Sequence, residues 1–205
     1  MSVCKKLIIA TSNNGKLREF KQLLVPLNIE VLSLKDFPEI GEIEENGTTF
    51  VDNALIKARA AAKITGYISL ADDSGLEVDY LDGLPGVTSA RFAGEPKDDS
   101  RNNSKLLSLM KGLPPIKRIG RFQCVIAIVG LNKTEYIAEG SCEGFILEEE
   151  RGIKGFGYDP LFYVPKYQKT FAELDLATKN KISHRGIATE KAVNILRQIF
   201  MYDSL

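Results

Sequence analysis

The chain contains no tryptophan, a single histidine and three cysteines, and its 27 lysines and arginines are matched by 27 aspartates and glutamates. Each shortage excludes something. Cys4, Cys124 and Cys142 are odd in number, scattered, and form no C-x-x-C pair. That removes a disulfide framework and a structural zinc site, and points to reduced thiols in the cytoplasm. With His184 the only histidine, no His/Cys cluster exists to hold a softer metal. A zero net charge argues against a grip on long nucleic acid, whose phosphates are normally met by a basic excess, but leaves room for a small anionic ligand in one local pocket. Long apolar runs are also missing. The run Leu7–Ala10 is far too short for a signal-peptide core or a membrane span, so neither a membrane partner nor export is expected. No repeat, low-complexity tract or linker divides the chain.

What is present is an ordinary globular composition. In 205 residues, 44% are hydrophobic and 26% charged, enough for a real core in one domain or in one sheet flanked by two lobes. Lys6–Ala10 reads as a strand, and Leu17, Phe20, Leu24 and Leu27 then recur at helical spacing up to Pro26. A second helix is predicted from a Thr48 or Thr49 cap to Gly66. Ile68–Ala71 reads as a buried strand ending at Asp72-Asp73-Ser74-Gly75, after which Leu76, Val78 and Tyr80 alternate as in a half-buried strand. Asp99–Met110 is predicted helical, and Phe122–Leu131 and Glu135–Ile146 form a hairpin about Asn132–Thr134. Leu161–Val164 is a further strand candidate. The last helix starts at a Ser183 cap and turns Ile187, Ala188, Ala192, Ile195, Leu196 and Ile199 to one face. Helices interleaved with strands at the front and a hairpin in the middle predict a mixed-sheet α/β fold.

Several segments are built for chemistry. Thr11-Ser12-Asn13-Asn14-Gly15-Lys16 joins a strand to a helix, where unpaired N–H groups and a partial positive charge suit phosphate oxygens. It is not a Walker A loop, because Ala10 and Leu17 replace the first glycine and the Ser/Thr metal ligand. Read alone, a capped turn fits it as well as a phosphate site. Glu42, Glu44 and Glu45 in one loop, with Asp72 and Asp73 after a strand, offer the oxygens that Mg²⁺ prefers, although a solvated acidic loop gives the same pattern. Asn53 and Lys57 share one helix face. The glycines about Phe156 in Gly155-Phe156-Gly157-Tyr158-Asp159 leave its ring able to stack on a planar base, or to anchor a turn. Lys179, His184 and Arg185 offer hydrogens that would donate to a purine 6-keto oxygen and oppose a 6-amino group.

Together these segments resemble the inosine triphosphate pyrophosphatase family, also called Ham1-like. The resemblance runs from about Leu7 to Leu196, and rests on TSNNGK (11–16), EENGTTFVDNALIKA (44–58), ADDSGLEVDYLDGLPGVTSARF (71–92), GFGYDPLF (155–162) and SHRG (183–186). It implies an elongated mixed-sheet α/β fold of two lobes about a central cleft, assembled as a homodimer. It also implies hydrolysis of ITP, dITP or XTP between the α- and β-phosphates, giving the monophosphate and pyrophosphate. By the same likeness Thr11–Lys16 hold the phosphates, and Asp73 is proton acceptor and magnesium ligand. Glu44 is the second ligand, a role Glu45 could exchange with it. Ser74, Phe156, Gly157, Tyr158, Asp159, Lys179, His184 and Arg185 then contact the nucleotide. The rivals are a Maf-like pyrophosphatase for modified pyrimidines, against which SHR and GFGYD argue, and a nucleotide sensor without catalysis, for which the acidic pair would lack a purpose.

Overall fold

The computed structural model describes residues 5–41 and 43–202; Cys4 and Glu42, both singled out above, lie outside them. A seven-stranded sheet runs in the order β2-β1-β3-β4-β5-β6-β7, with β1 Lys6–Ile9, β2 Glu30–Ser33, β3 Ile68–Val78, β4 Ile119–Val129, β5 Glu135–Ile146, β6 Phe162–Val164 and β7 Lys169–Thr170. The helices are α1 Asn14–Leu23, α2 Phe50–Thr65, α3 Asp99–Leu109, α4 Leu176–Ile182 and α5 His184–Tyr202. β1 pairs in parallel with β2 and β3, while β6 pairs antiparallel with β5 and β7, so the sheet is mixed as expected. No helix among the described residues is long and apolar enough to cross a membrane. The chain folds into two compact units. The first holds residues up to Asp73, Cys124–Gly140 and everything from Arg185; the second holds Ser74–Gln123 and Ser141–His184.

In the first unit, strand alternation decides which residues meet which helix. Leu7, Ile9, Ile68, Leu70, Ile126 and Ile128 face one side, where Phe20 of α1, Leu24 at its C-cap, and Ala188, Ala192 and Leu196 of α5 cover them. Ile8, Ala10, Ala71, Val125 and Ala127 face the other, against Ala54, Ala58 and Ala61 of α2. Alanine at those helix positions lets α2 lie close to the sheet. Its ends are firmly marked: Thr49 and Asp52 form a reciprocal capping box, and Gly66 ends the helix in the left-handed region.

The second unit packs Leu76 and Val78 of β3, Leu106 and Met110 of the α3 region, and Phe122, Phe162 and Phe171 into one core. Buried Arg118 donates there to the carbonyls of Met110, Ile146 and Leu147. Cys142 lies against this core on β5, and burial, with help from Glu143, pushes its thiol up to about 11. A raised acid pKa adds stability below the unfolded thiol value of about 8.5, and that stability is lost as pH rises toward the folded value. The urea midpoint of the native protein is therefore expected to fall more steeply between those two limits than that of Cys142→Ala. Equal slopes would remove the thiol from the account.

Two readings of the sequence change. The strand expected over Ile68–Ala71 continues to Val78, so Asp72–Gly75 lie inside β3 rather than after it. Tyr80 belongs to a 3-10 turn, Asp79–Leu81, and not to a strand.

Candidate active site

β1 leads into α1 and β2 on one side, and α2 returns the chain to β3 on the other, so the order 2-1-3 creates a switch point at the carboxyl ends of β1 and β3. Open α/β sheets place their ligand sites at such points. Ile9 is in register with Leu70, which sets Thr11–Lys16 and Asp72–Asp73 side by side where β1 ends. In the loop, the Asn13 side chain accepts from the Lys16 N–H at 3.1 Å and so caps α1. The Thr11 hydroxyl accepts from the Asn13 N–H at 3.2 Å, and Lys35 donates to the Asn14 side chain at 2.8 Å. Ser12, Asn13 and Asn14 are exposed, with Thr11 and Gly15 partly so, which leaves the start of α1 open to an anion.

Because neighbouring strand residues point to opposite faces, the two aspartates take different partners. Asp72 turns to the α1/α5 side. Its Oδ2 meets the Lys16 ammonium at 2.9 Å and the Arg185 guanidinium at 3.3 Å, and Arg185 also holds Glu19 at 2.5 Å. Burial alone would strip charge from Arg185, but Asp72 and Glu19 outweigh it and hold its pKa above the ordinary arginine value. Asp73 turns to the α2 side. There Asn53 donates to Oδ2 at 3.2 Å and Lys57 to Oδ1 at 3.2 Å, while Lys57 also reaches Glu45 at 3.0 Å.

Burial raises the pKa of Asp73, and Glu45 and Asp72 add to that push against the pull of Lys57 and Lys16. Burial pushes Lys57 the other way, but Asp73, Asp72 and Glu45 prevail and raise it. Around this pair the carboxylates Glu19, Glu45, Asp72 and Asp73 stand against the cations Lys16, Lys57 and Arg185. Among the described residues no three His, Cys, Asp or Glu side chains gather into a group that could hold a metal ion; the local donors are carboxylate oxygens, the type that Mg²⁺ takes in ones or twos when substrate phosphates complete its shell. Of the two glutamates left open by the sequence, Glu45 is paired with Lys57 and Glu44 is exposed.

The remaining expected residues belong to the second unit, except Arg185. Ser74, partly buried, opens this unit's share of β3. Asp159 accepts from the Phe156 N–H at 2.9 Å and binds the Lys179 ammonium at 2.6 Å, which lies 4.9 Å from the centre of the Phe156 ring. Gly155 adopts φ +80°, and a side chain there would run into the Asp159 carboxylate, so this loop requires glycine. Gly157 is held at both ends: its N–H donates to Asp99 at 2.7 Å and its carbonyl accepts from Asn103 at 3.2 Å. Tyr158 is buried with its hydroxyl donating to the Ser89 carbonyl at 2.9 Å, so this side chain serves the core. His184 stacks on Phe122, centroids 4.6 Å apart and 13° from parallel.

The structure therefore binds Lys179 to Asp159, His184 to Phe122 and Arg185 to Asp72 and Glu19, giving the three expected donors three different anchors. Sequence reading passed over Glu19, Asp99 and Asn103. A signal existed for each: Glu19 follows Lys16 by three residues on one helix face, and Asp99 and Asn103 are spaced i, i+4.

Comparison with known proteins shows the family and the fold. The model of the Ham1 family matches residues 7–195. A protein of Desulforamulus reducens named dITP/XTP pyrophosphatase is 58% identical over 98% of this chain and 100% of its own. A namesake from Bacillus cereus is 49% identical over 98% and 99%. Among solved structures, the Staphylococcus aureus Ham1 protein superposes with a TM-score of 0.84 at 40% identity, covering 95% of this chain and 99% of that one. A HAM1 protein from Coxiella burnetii gives 0.85 at 44% identity with the same coverage.

Proposed function

The chain belongs to the Ham1 family, and from that premise we propose that it is a nucleoside-triphosphate pyrophosphatase that cleaves dITP, ITP and XTP between the α- and β-phosphates, releasing pyrophosphate and clearing these nucleotides from the pool. The observation that carries this reading is the Asp73 carboxylate. It stands buried at the switch point, one oxygen held by Asn53 and the other by Lys57, beside a helix start suited to phosphate.

Asp73 accepts the proton of the attacking water. Burial raises its pKa and so makes its carboxylate a stronger base, which is the direction general-base catalysis requires. Thr11–Lys16 receive the phosphates through the backbone N–H groups at the start of α1. Lys16 and Lys57 supply positive charge toward the departing pyrophosphate. Mg²⁺ is the cofactor we assign; Asp73 and the exposed Glu44 carboxylate would hold it, and it would supply charge neutralisation on the triphosphate. The family resemblance assigns Phe156 to stacking on the base, Lys179 and His184 to its keto edge, and Ser74, Gly157 and Asp159 to contacts with the nucleotide. Arg185 acts in this reading through Asp72 and Lys16, because its guanidinium is already taken by carboxylates. A cytoplasmic homodimer completes the proposal, on the resemblance alone.

The test is pyrophosphate release from dITP, XTP, dATP, dGTP and dTTP, each with and without Mg²⁺. Release from dITP and XTP well above the others, and only with Mg²⁺, is expected. Preferred cleavage of dTTP would favour the Maf-like reading, and binding without release would favour the sensor.

A further inference from the structure

We propose that Asn53 is a positioning residue that ties the acidic loop to Asp73 and fixes which carboxylate oxygen faces the attacking water; this rests on the reading of Asp73 given above. Asn53 is 1% exposed, so both ends of its amide need partners inside the protein. Its oxygen accepts from the Gly47 N–H at 2.8 Å, and its amide nitrogen donates to Asp73 Oδ2 at 3.2 Å. The backbone N–H of Gly47 can only donate, which forces the amide oxygen toward the loop and the NH₂ group toward Asp73. Four residues further along α2, Lys57 takes the other oxygen at 3.2 Å. Neither oxygen can turn without breaking one of these contacts.

The loop side of the tie is equally constrained. A Cβ on Gly47 would stand 2.7 Å from Asn53 Oδ1 and 2.5 Å from Asp52 Cβ, so only glycine lets the loop backbone rest on the Asn53 side chain. Asp52 has little freedom to retreat, since its carboxylate accepts from the Thr49 hydroxyl at 2.7 Å in the capping box. The segment that presents Glu44 and Glu45 is thereby clamped to the side chain that orients Asp73, and a shift of one moves the other.

Asn53→Asp retains the acceptor for Gly47 and the side-chain shape but removes the donor to Asp73. Gly47→Ala disturbs the tie from the loop side without adding charge. For each variant, kcat for dITP is measured beside the affinity and stoichiometry of the non-hydrolysable α,β-imido-dITP by titration calorimetry. A misplaced catalytic group costs on the order of 10²-fold, so kcat is expected to fall by about that factor in Asn53→Asp and in the same direction in Gly47→Ala, with analogue affinity within about three-fold and one site per chain preserved. A loss of kcat matched by a loss of binding sites would mean that Asn53 serves the fold only. Native-like kcat in Asn53→Asp, or a loss there with none in Gly47→Ala, would overturn the tie. The native chain is assayed first, because failure of that assay sinks the proposed activity and not the role of Asn53.

Discussion

Asp73→Asn is expected to lower kcat for pyrophosphate release from dITP by about 10³-fold, within the range that loss of a general base produces, while the protein keeps its fold. The substitution is isosteric, and it removes one carboxylate from a cluster in which Glu19, Glu45, Asp72 and Asp73 outnumber Lys16, Lys57 and Arg185. Stability therefore changes little. The neutral amide loses its capacity to take a proton, and it must set an NH₂ group toward either the Asn53 amide or the Lys57 ammonium, both donors. Steady-state kinetics and a thermal melt on the same preparation read the two halves. Activity within a few-fold of native would place the base elsewhere, and a collapsed melt would make Asp73 a residue of the fold.

Arg185→Met is expected to be the most damaging single change to stability. Arg185 is 2% exposed and Glu19 also 2%, with Asp72 at 1%. Removing the guanidinium leaves Glu19 without the contact at 2.5 Å, while Asp72 keeps Lys16 at 2.9 Å. Breaking one side of a buried ion pair costs about 3–5 kcal/mol, which for a chain of this length lowers the melting temperature on the order of 10 °C. The double substitution Arg185→Met with Glu19→Leu should recover a large part of that loss, because it also removes the buried carboxylate that had faced the guanidinium. A single variant melting within about 2 °C of native, a shift below roughly 1 kcal/mol, would show that the guanidinium contributes little to the first unit.

How much of this was legible in the sequence follows from the range of the interactions. The β1–α1 turn, the Thr49 cap, the Gly66 stop and the apolar stripe of α5 are local, and their signals lie within a few residues. The sequence reads as a strand over Ile68–Ala71 and a second alternating stretch from Leu76, with Asp72–Gly75 between them. The strand continues because buried cations from α1, α5 and α2 meet those carboxylates from both faces, and no local pattern reports that. α4 was missed since LATKNKI carries no apolar period; it is marked mainly by its Asp175 cap. His184 and Arg185 looked like one donor group, but successive helical residues point about 100° apart. One therefore stacks on Phe122 and the other turns to Asp72. Asn53 and Lys57 were legible as a shared face, but the target of that face was not.

Hydrolysis of dITP in ¹⁸O-enriched water tests the central claim most directly, since it asks where the water delivered by Asp73 attacks. Mass spectrometry is expected to find the heavy oxygen in dIMP, with the pyrophosphate unlabelled. Label in the pyrophosphate, or in orthophosphate released from the γ position, would mean that the α-phosphorus is not the point of attack and would contradict the account.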